Sequence, residues 1–132
     1  MTRTFVLVHG AWHGAWSWQR VAPALREAGH EVVLPTLTGL GHRSHLTHPM
    51  VGLDVHVRDV ASVLEFEDLR DVILVGHSYA GLAVVGAAVA AGERVADLVV
   101  LDENPLENIR NTESVRYVMV NGRLFDGWTM DQ

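Results

Sequence analysis

The chain is 132 residues long, enough for one domain with its own core and short of two, and its 48% apolar and 20% charged residues exclude a disordered or fibrous protein. Sixteen acids stand against ten arginines and no lysine, a net charge of −6, which excludes lysine Schiff-base chemistry and repels nucleic acid as a partner. The absence of cysteine excludes disulfides, a thiolate nucleophile and thiolate metal sites, and leaves the cytoplasm as the default compartment.

In chain order, four β-branched runs, "RTFVLVHG", "HEVVLP", "DVILVGHS" and "ADLVVLD", are apolar on consecutive positions, the pattern of strands covered on both faces of a parallel sheet. The first run stops at His9, too short for the hydrophobic region of an export signal. Between the first two strands, Trp18, Val21, Leu25 and Ala28 make a helical stripe that Gly29 closes, with Pro23 near the start of the regular helix. Leu53, Val57, Val60 and Leu64 repeat that rhythm before the third strand, and Leu82, Val85 and Val89 before the fourth. The greasy stretch "YAGLAVVGAAVAAG" falls well short of the ~20 residues a membrane span needs and reads as a buried helix, so no membrane partner is expected. Strands alternating with helices predict right-handed crossovers and a three-layer α/β sandwich, a single domain over 1–132.

Beyond about Asn104 the alternation stops. "RYVMV", "NG" and "RLF" predict a β-hairpin on a two-residue turn, because Asn and Gly accept positive φ.

The chemistry concentrates in "VGHSYAG". A Ser between a strand and a helix, with small residues two positions away on either side, can take a strained turn that exposes its hydroxyl. Gly76 and Ala80 are those neighbours, His77 and Tyr79 flank the serine, and Ser78 is the candidate nucleophile. The helix opening at Tyr79 aims backbone amides at the space above Ser78, where an oxyanion would develop. "HGAWHGAW" follows the first strand, where a loop amide is needed to complete such a hole; Ala11, after Gly10, is the candidate donor. Trp12, His13 and Leu40 are candidate pocket residues, although tryptophans spaced as Trp12, Trp16 and Trp18 also suit a core. The alternative for Ser78 is a tight turn with no chemistry.

"LVHGAWHGAWSW", "LPTLTGLGHRSHL" and "VILVGHSYAGL", in that order, resemble the α/β-hydrolase fold over about residues 3–101, and in particular small carboxylesterases with plant methyl-esterase and hydroxynitrile-lyase relatives. The resemblance implies Ser78 as nucleophile, a small ester as substrate and no cofactor. It also implies a triad in the order Ser, acid, His. Here all eight histidines precede the serine, so the chain reads as a truncated hydrolase fold with weak or absent turnover. His9 and His13, on the oxyanion loop, are the candidates for a substitute base. Asp102, at the end of the fourth strand, is the candidate acid, its plainer reading being an ordinary strand-end carboxylate.

His42, His45 and His48 recur every three residues in "GHRSHLTH", between Gly41 and Pro49. Imidazoles at that spacing suit a metal-binding loop, but a solvated loop is the simpler expectation, and no metal site is assigned.

The segment 96–128 resembles the C-terminal end of metal-dependent amidohydrolases, so that 1–101 and 102–132 read as a chimera-like join. A sheet left open after its fourth strand invites association. Val115, Tyr117, Val118, Val120, Leu124, Phe125 and Trp128 are positioned to cover that edge as a hairpin, with a homodimer as the other way to cover it. The leading reading is a serine esterase of incomplete triad. A non-catalytic α/β assembly module is second, and a histidine-loop metal binder third.

Overall fold

The computed structural model describes residues 1–120 and 123–127. The consecutive apolar runs become β1 (Thr4–Val8), β2 (Glu31–Val33), β3 (Val72–His77) and β4 (Val95–Leu101), and the C-terminal hairpin supplies β5 (Val115–Val120) and β6 (Arg123–Asp126). They form one sheet in the order β2-β1-β3-β4-β5-β6. The first four strands are parallel, and β5 and β6 join antiparallel.

Both faces are covered, as unalternated strands require. On one face Val6, Val8, Leu74 and Val100 pack with Val60, Leu64, Val84 and Ala87 from α2 (Leu53–Phe66) and α3 (Ala80–Ala91). On the other, Leu7, Val75 and Leu101 pack with Trp18 and with Val21 and Leu25 beside α1 (Ala22–Glu27). The result is the expected three-layer sandwich with a mainly parallel sheet. No helix among the described residues is long and apolar enough to cross a membrane.

Three local expectations are corrected. The stripe from Trp18 to Ala28 is not one helix: a 3₁₀ turn over Ala15–Trp18 precedes α1, which has Pro23 in its first turn and ends before Gly29 at φ +91°. The histidine segment is not a plain loop but 3₁₀ over Gly41–Leu46.

The third correction concerns α3. Leu82, Val85 and Val89, expected to face the core, are 60%, 48% and 82% exposed, while Ala80, Gly81, Ala83, Val84 and Ala87 are buried. Close approach decides the phase. A Cβ on Gly81 would lie 2.8 Å from Val100 Cγ1, and one on Gly86 2.6 Å from Val57 Cγ2, so the small residues must face the sheet and α2.

The open edge of β4 is taken by β5, with Val99 opposite Val118 and Val100 opposite Tyr117. The edge that a homodimer was expected to use is therefore occupied within the chain. The Asn121-Gly122 turn, Trp128 and the Leu124 side chain lie outside the described residues.

Candidate active site

The register brings the site together. Val8 pairs with Gly76 and His77 with Leu101, so the loop after β1, the turn after β3 and the end of β4 meet at one rim of the sheet. This rim is where open parallel sheets place their binding crevices.

Ser78 has φ +53°, the left-handed region that side chains other than glycine avoid. The neighbouring backbone fixes it there: Ser78 N–H donates to the Leu101 carbonyl at 2.8 Å, and Gly81 N–H donates to the Ser78 carbonyl at 2.8 Å. Its side chain is exposed and takes part in no hydrogen bond among the described residues. The small neighbours are a steric need. A Cβ on Gly76 would sit 2.8 Å from the Ala80 carbonyl oxygen and from Val84 Cγ2, whereas Ala80 is itself buried with its methyl accommodated.

On the facing loop, His13 N–H closes a turn onto the Gly10 carbonyl at 3.2 Å, with Trp12 at φ +66°. Trp12 thereby stands 87% exposed. The N–H groups of Ala11 and Tyr79 enter no hydrogen bond among the described residues, and both residues line one cavity of about 270 Å³ with Trp12, Leu40, Val51 and His56. Gly10 packs so tightly that a Cβ there would lie 2.9 Å from His77 Nδ1, which holds the loop against the elbow.

Ser78 borders a second concavity, of about 360 Å³, with Leu82, Asp102, Arg116 and Tyr117. Asp102 is exposed, and its N–H donates to the Ser114 carbonyl at 2.9 Å. The C-terminal hairpin thus forms one wall beside the serine.

Histidine placement settles which imidazoles are free. His9 is fully buried and engaged twice: Leu37 N–H donates to its Nε2 at 3.0 Å, so its Nδ1 holds the proton and donates to the Gly10 carbonyl at 2.8 Å. Burial pushes its pKa below the usual imidazole value. His13 is a correction: it does not line the cavity with Trp12 and Leu40. Its ring packs against Trp16 at 5.3 Å and stacks on His77 at 5.8 Å, and the Nδ1 atoms of His13 and His77 are both buried with no hydrogen-bond partner among the described residues. Burial, followed by the neighbouring His13, holds the His77 pKa down, with Asp102 and Glu107 acting against it. Among the described residues no three His, Asp or Glu side chains converge as a metal set, so His42, His45 and His48 do not form one.

His56, not among the residues singled out from sequence, stands in the cavity wall. Its signal was position: on α2 it shares a face with Val60 and Leu64 at spacing four, and all three are buried.

Residues 5–130 match the Alpha/beta hydrolase family, and the chain belongs to it. That match continues through the C-terminal hairpin. Over 98 residues the chain is 53% identical to a carbendazim hydrolyzing esterase of Nocardioides sp. (strain SG-4G), covering 74% of this chain and 40% of that protein. It is 33% identical to an alpha-hydroxynitrile lyase of Arabidopsis thaliana over 99 residues, 74% of this chain and 38% of that one. The chain therefore spans about two fifths of the length of these curated relatives. Among solved structures, an extracellular alpha/beta-hydrolase from a Paenibacillus species superimposes with TM-score 0.69 at 26% identity, over 87% of this chain and 54% of that one. A methylesterase from Arabidopsis does so with TM-score 0.68 at 28% identity, over 89% and 54%.

Proposed function

We propose that the chain carries the nucleophile and oxyanion half of a serine esterase acting on small carboxylic esters. Ser78 Oγ attacks the ester carbonyl, and the Ala11 and Tyr79 amides receive the developing oxyanion, each donor contributing about 3 kcal/mol to the transition state. The carrying observation is that Ser78 is held at φ +53° by backbone bonds on both sides while its hydroxyl stays exposed. Such strain persists where surrounding structure enforces it, and it gathers at functional sites.

Turnover is weak in this reading. A serine hydroxyl needs an adjacent base. His9 spends both nitrogens elsewhere, and His13 and His77 face each other. Asp102, on the serine's concavity, is the candidate acid, and the imidazole its charge acts on is His77 rather than one bonded to Ser78. The C-terminal hairpin acts as a cover for β4.

The second reading, a non-catalytic α/β module, is favoured by the lack of any imidazole hydrogen-bonded to Ser78 Oγ among the described residues. A fluorophosphonate probe with mass-spectrometric mapping decides between them. Slow, stoichiometric modification of Ser78, lost in Ser78→Ala, is expected of the esterase half; an unmodified serine removes it.

A further inference from the structure

Apart from the Ala11 and Tyr79 amides, the hydroxyls of the cavity beside them share one hydrogen-bond polarity. His56 is 7% exposed and uses both ring nitrogens. Its Nε2 lies 2.8 Å from the Thr38 carbonyl oxygen, which can only accept, so Nε2 carries the proton. In the neutral ring Nδ1 is then bare, and the Tyr79 hydroxyl, 2.7 Å away, donates to it. The rings meet edge to face at 85° with centroids 5.6 Å apart.

The other two hydroxyls of the cavity wall are committed in the same sense. Thr38 donates its hydroxyl to Asp59 at 2.7 Å and its N–H to the same carboxylate at 2.6 Å, which also anchors the carbonyl that His56 reads. Thr47 donates its hydroxyl to the Gly39 carbonyl at 2.7 Å. All three hydroxyl hydrogens therefore point into protein, and the side chains offer oxygen lone pairs to an occupant. Burial, with Asp54 adding to it, raises the Tyr79 pKa and keeps the phenol protonated. The remaining side chains include Leu40, Val51 and Trp12, with His48, whose Nδ1 accepts from the Met50 N–H at 3.2 Å, at the exposed side.

We infer that Tyr79 is a specificity-determining residue: its hydroxyl oxygen, set as an acceptor by His56, selects small apolar esters that carry an O–H or N–H donor. The inference rests on reading this cavity as the ester site. An occupant without a donor leaves the phenol oxygen desolvated and unpaired, which is the costly side of a hydrogen bond. His56 acts through Tyr79 and is a positioning residue.

The test uses the 132-residue chain and two probes, methyl 4-hydroxybenzoate and methyl 4-methoxybenzoate, titrated by NMR while the Leu40, Val51 and Tyr79 amides are followed. The expected result is saturable binding with the hydroxy ester favoured about tenfold, a preference that collapses in Tyr79→Phe as the methoxy ester, no longer set against an unpaired phenol oxygen, binds tighter. Thermal unfolding confirms that the variant is folded. Equal binding of the two probes by the unaltered chain, or a preference surviving in Tyr79→Phe, overturns the inference. Fluorophosphonate labelling of the same samples separates the two claims: a labelled Ser78 with no preference sinks only the inference, and a preference with an unlabelled Ser78 supports it while removing the reaction.

Discussion

Ser78 and Leu101 are joined by a 2.8 Å backbone hydrogen bond from the serine N–H to the leucine carbonyl, which ties the strained turn after β3 to the last residue of β4. The strain belongs to the backbone and not to the hydroxyl. Ser78→Gly should therefore be more stable than Ser78→Ala by about 1 kcal/mol, since only glycine meets this φ without a clash between Cβ and the carbonyl. Urea unfolding of the two variants measures the difference. Equal midpoints would show that the turn relaxes when the hydroxyl is removed.

Among the described residues no imidazole bonds the free hydroxyl of the elbow, so in the proposed reading it should respond to a base supplied from solution. Added imidazole is expected to raise the rate of Ser78 phosphonylation in proportion to its concentration, with Ser78→Ala giving background only. A rate indifferent to imidazole would mean that a base already serves the serine.

Buried His9 and His77 set an acid limit on the fold. Both folded-state pKa values lie below the ordinary 6.5, so below that pH the unfolded chain binds more protons than the folded one. Stability should hold above about pH 6.5 and fall as pH drops through it, with the loss continuing toward the lower folded-state values. His77→Asn removes one of these groups and should flatten the decline below about pH 6.5. A thermal midpoint profile of unchanged slope would place the acid sensitivity elsewhere.

Val118 stands opposite both Val99 on β4 and Phe125 on β6. Val118→Pro removes a ladder donor from this middle strand of the hairpin and should cost about 3 kcal/mol or more. Light scattering should then report association through the uncovered β4 edge. A monomer of unchanged stability would show that the edge needs no cover.

The parallel strands were legible because burial on both faces writes itself into sequence as an unbroken apolar run. Ser78 was legible for a related reason: steric demands at Gly76 and Ala80 leave small residues at fixed offsets. The phase of α3 was not, because that helix is apolar all round and its periodicity carries no direction. What orients it is contact between Gly81 and Val100 and between Gly86 and Val57, across strands and helices far apart in the chain. His56 escaped for the same reason. A lone imidazole among valines acquires meaning only when α2 brings it to Tyr79 and Thr38.

The change of strand direction between β4 and β5 has a consequence for biosynthesis. On the ribosome the parallel body is complete once β4 emerges, yet its outermost strand stays unguarded until the following two dozen or so residues have been translated and folded back. In that interval the N–H and C=O groups of β4 that later pair with β5 are open to another strand.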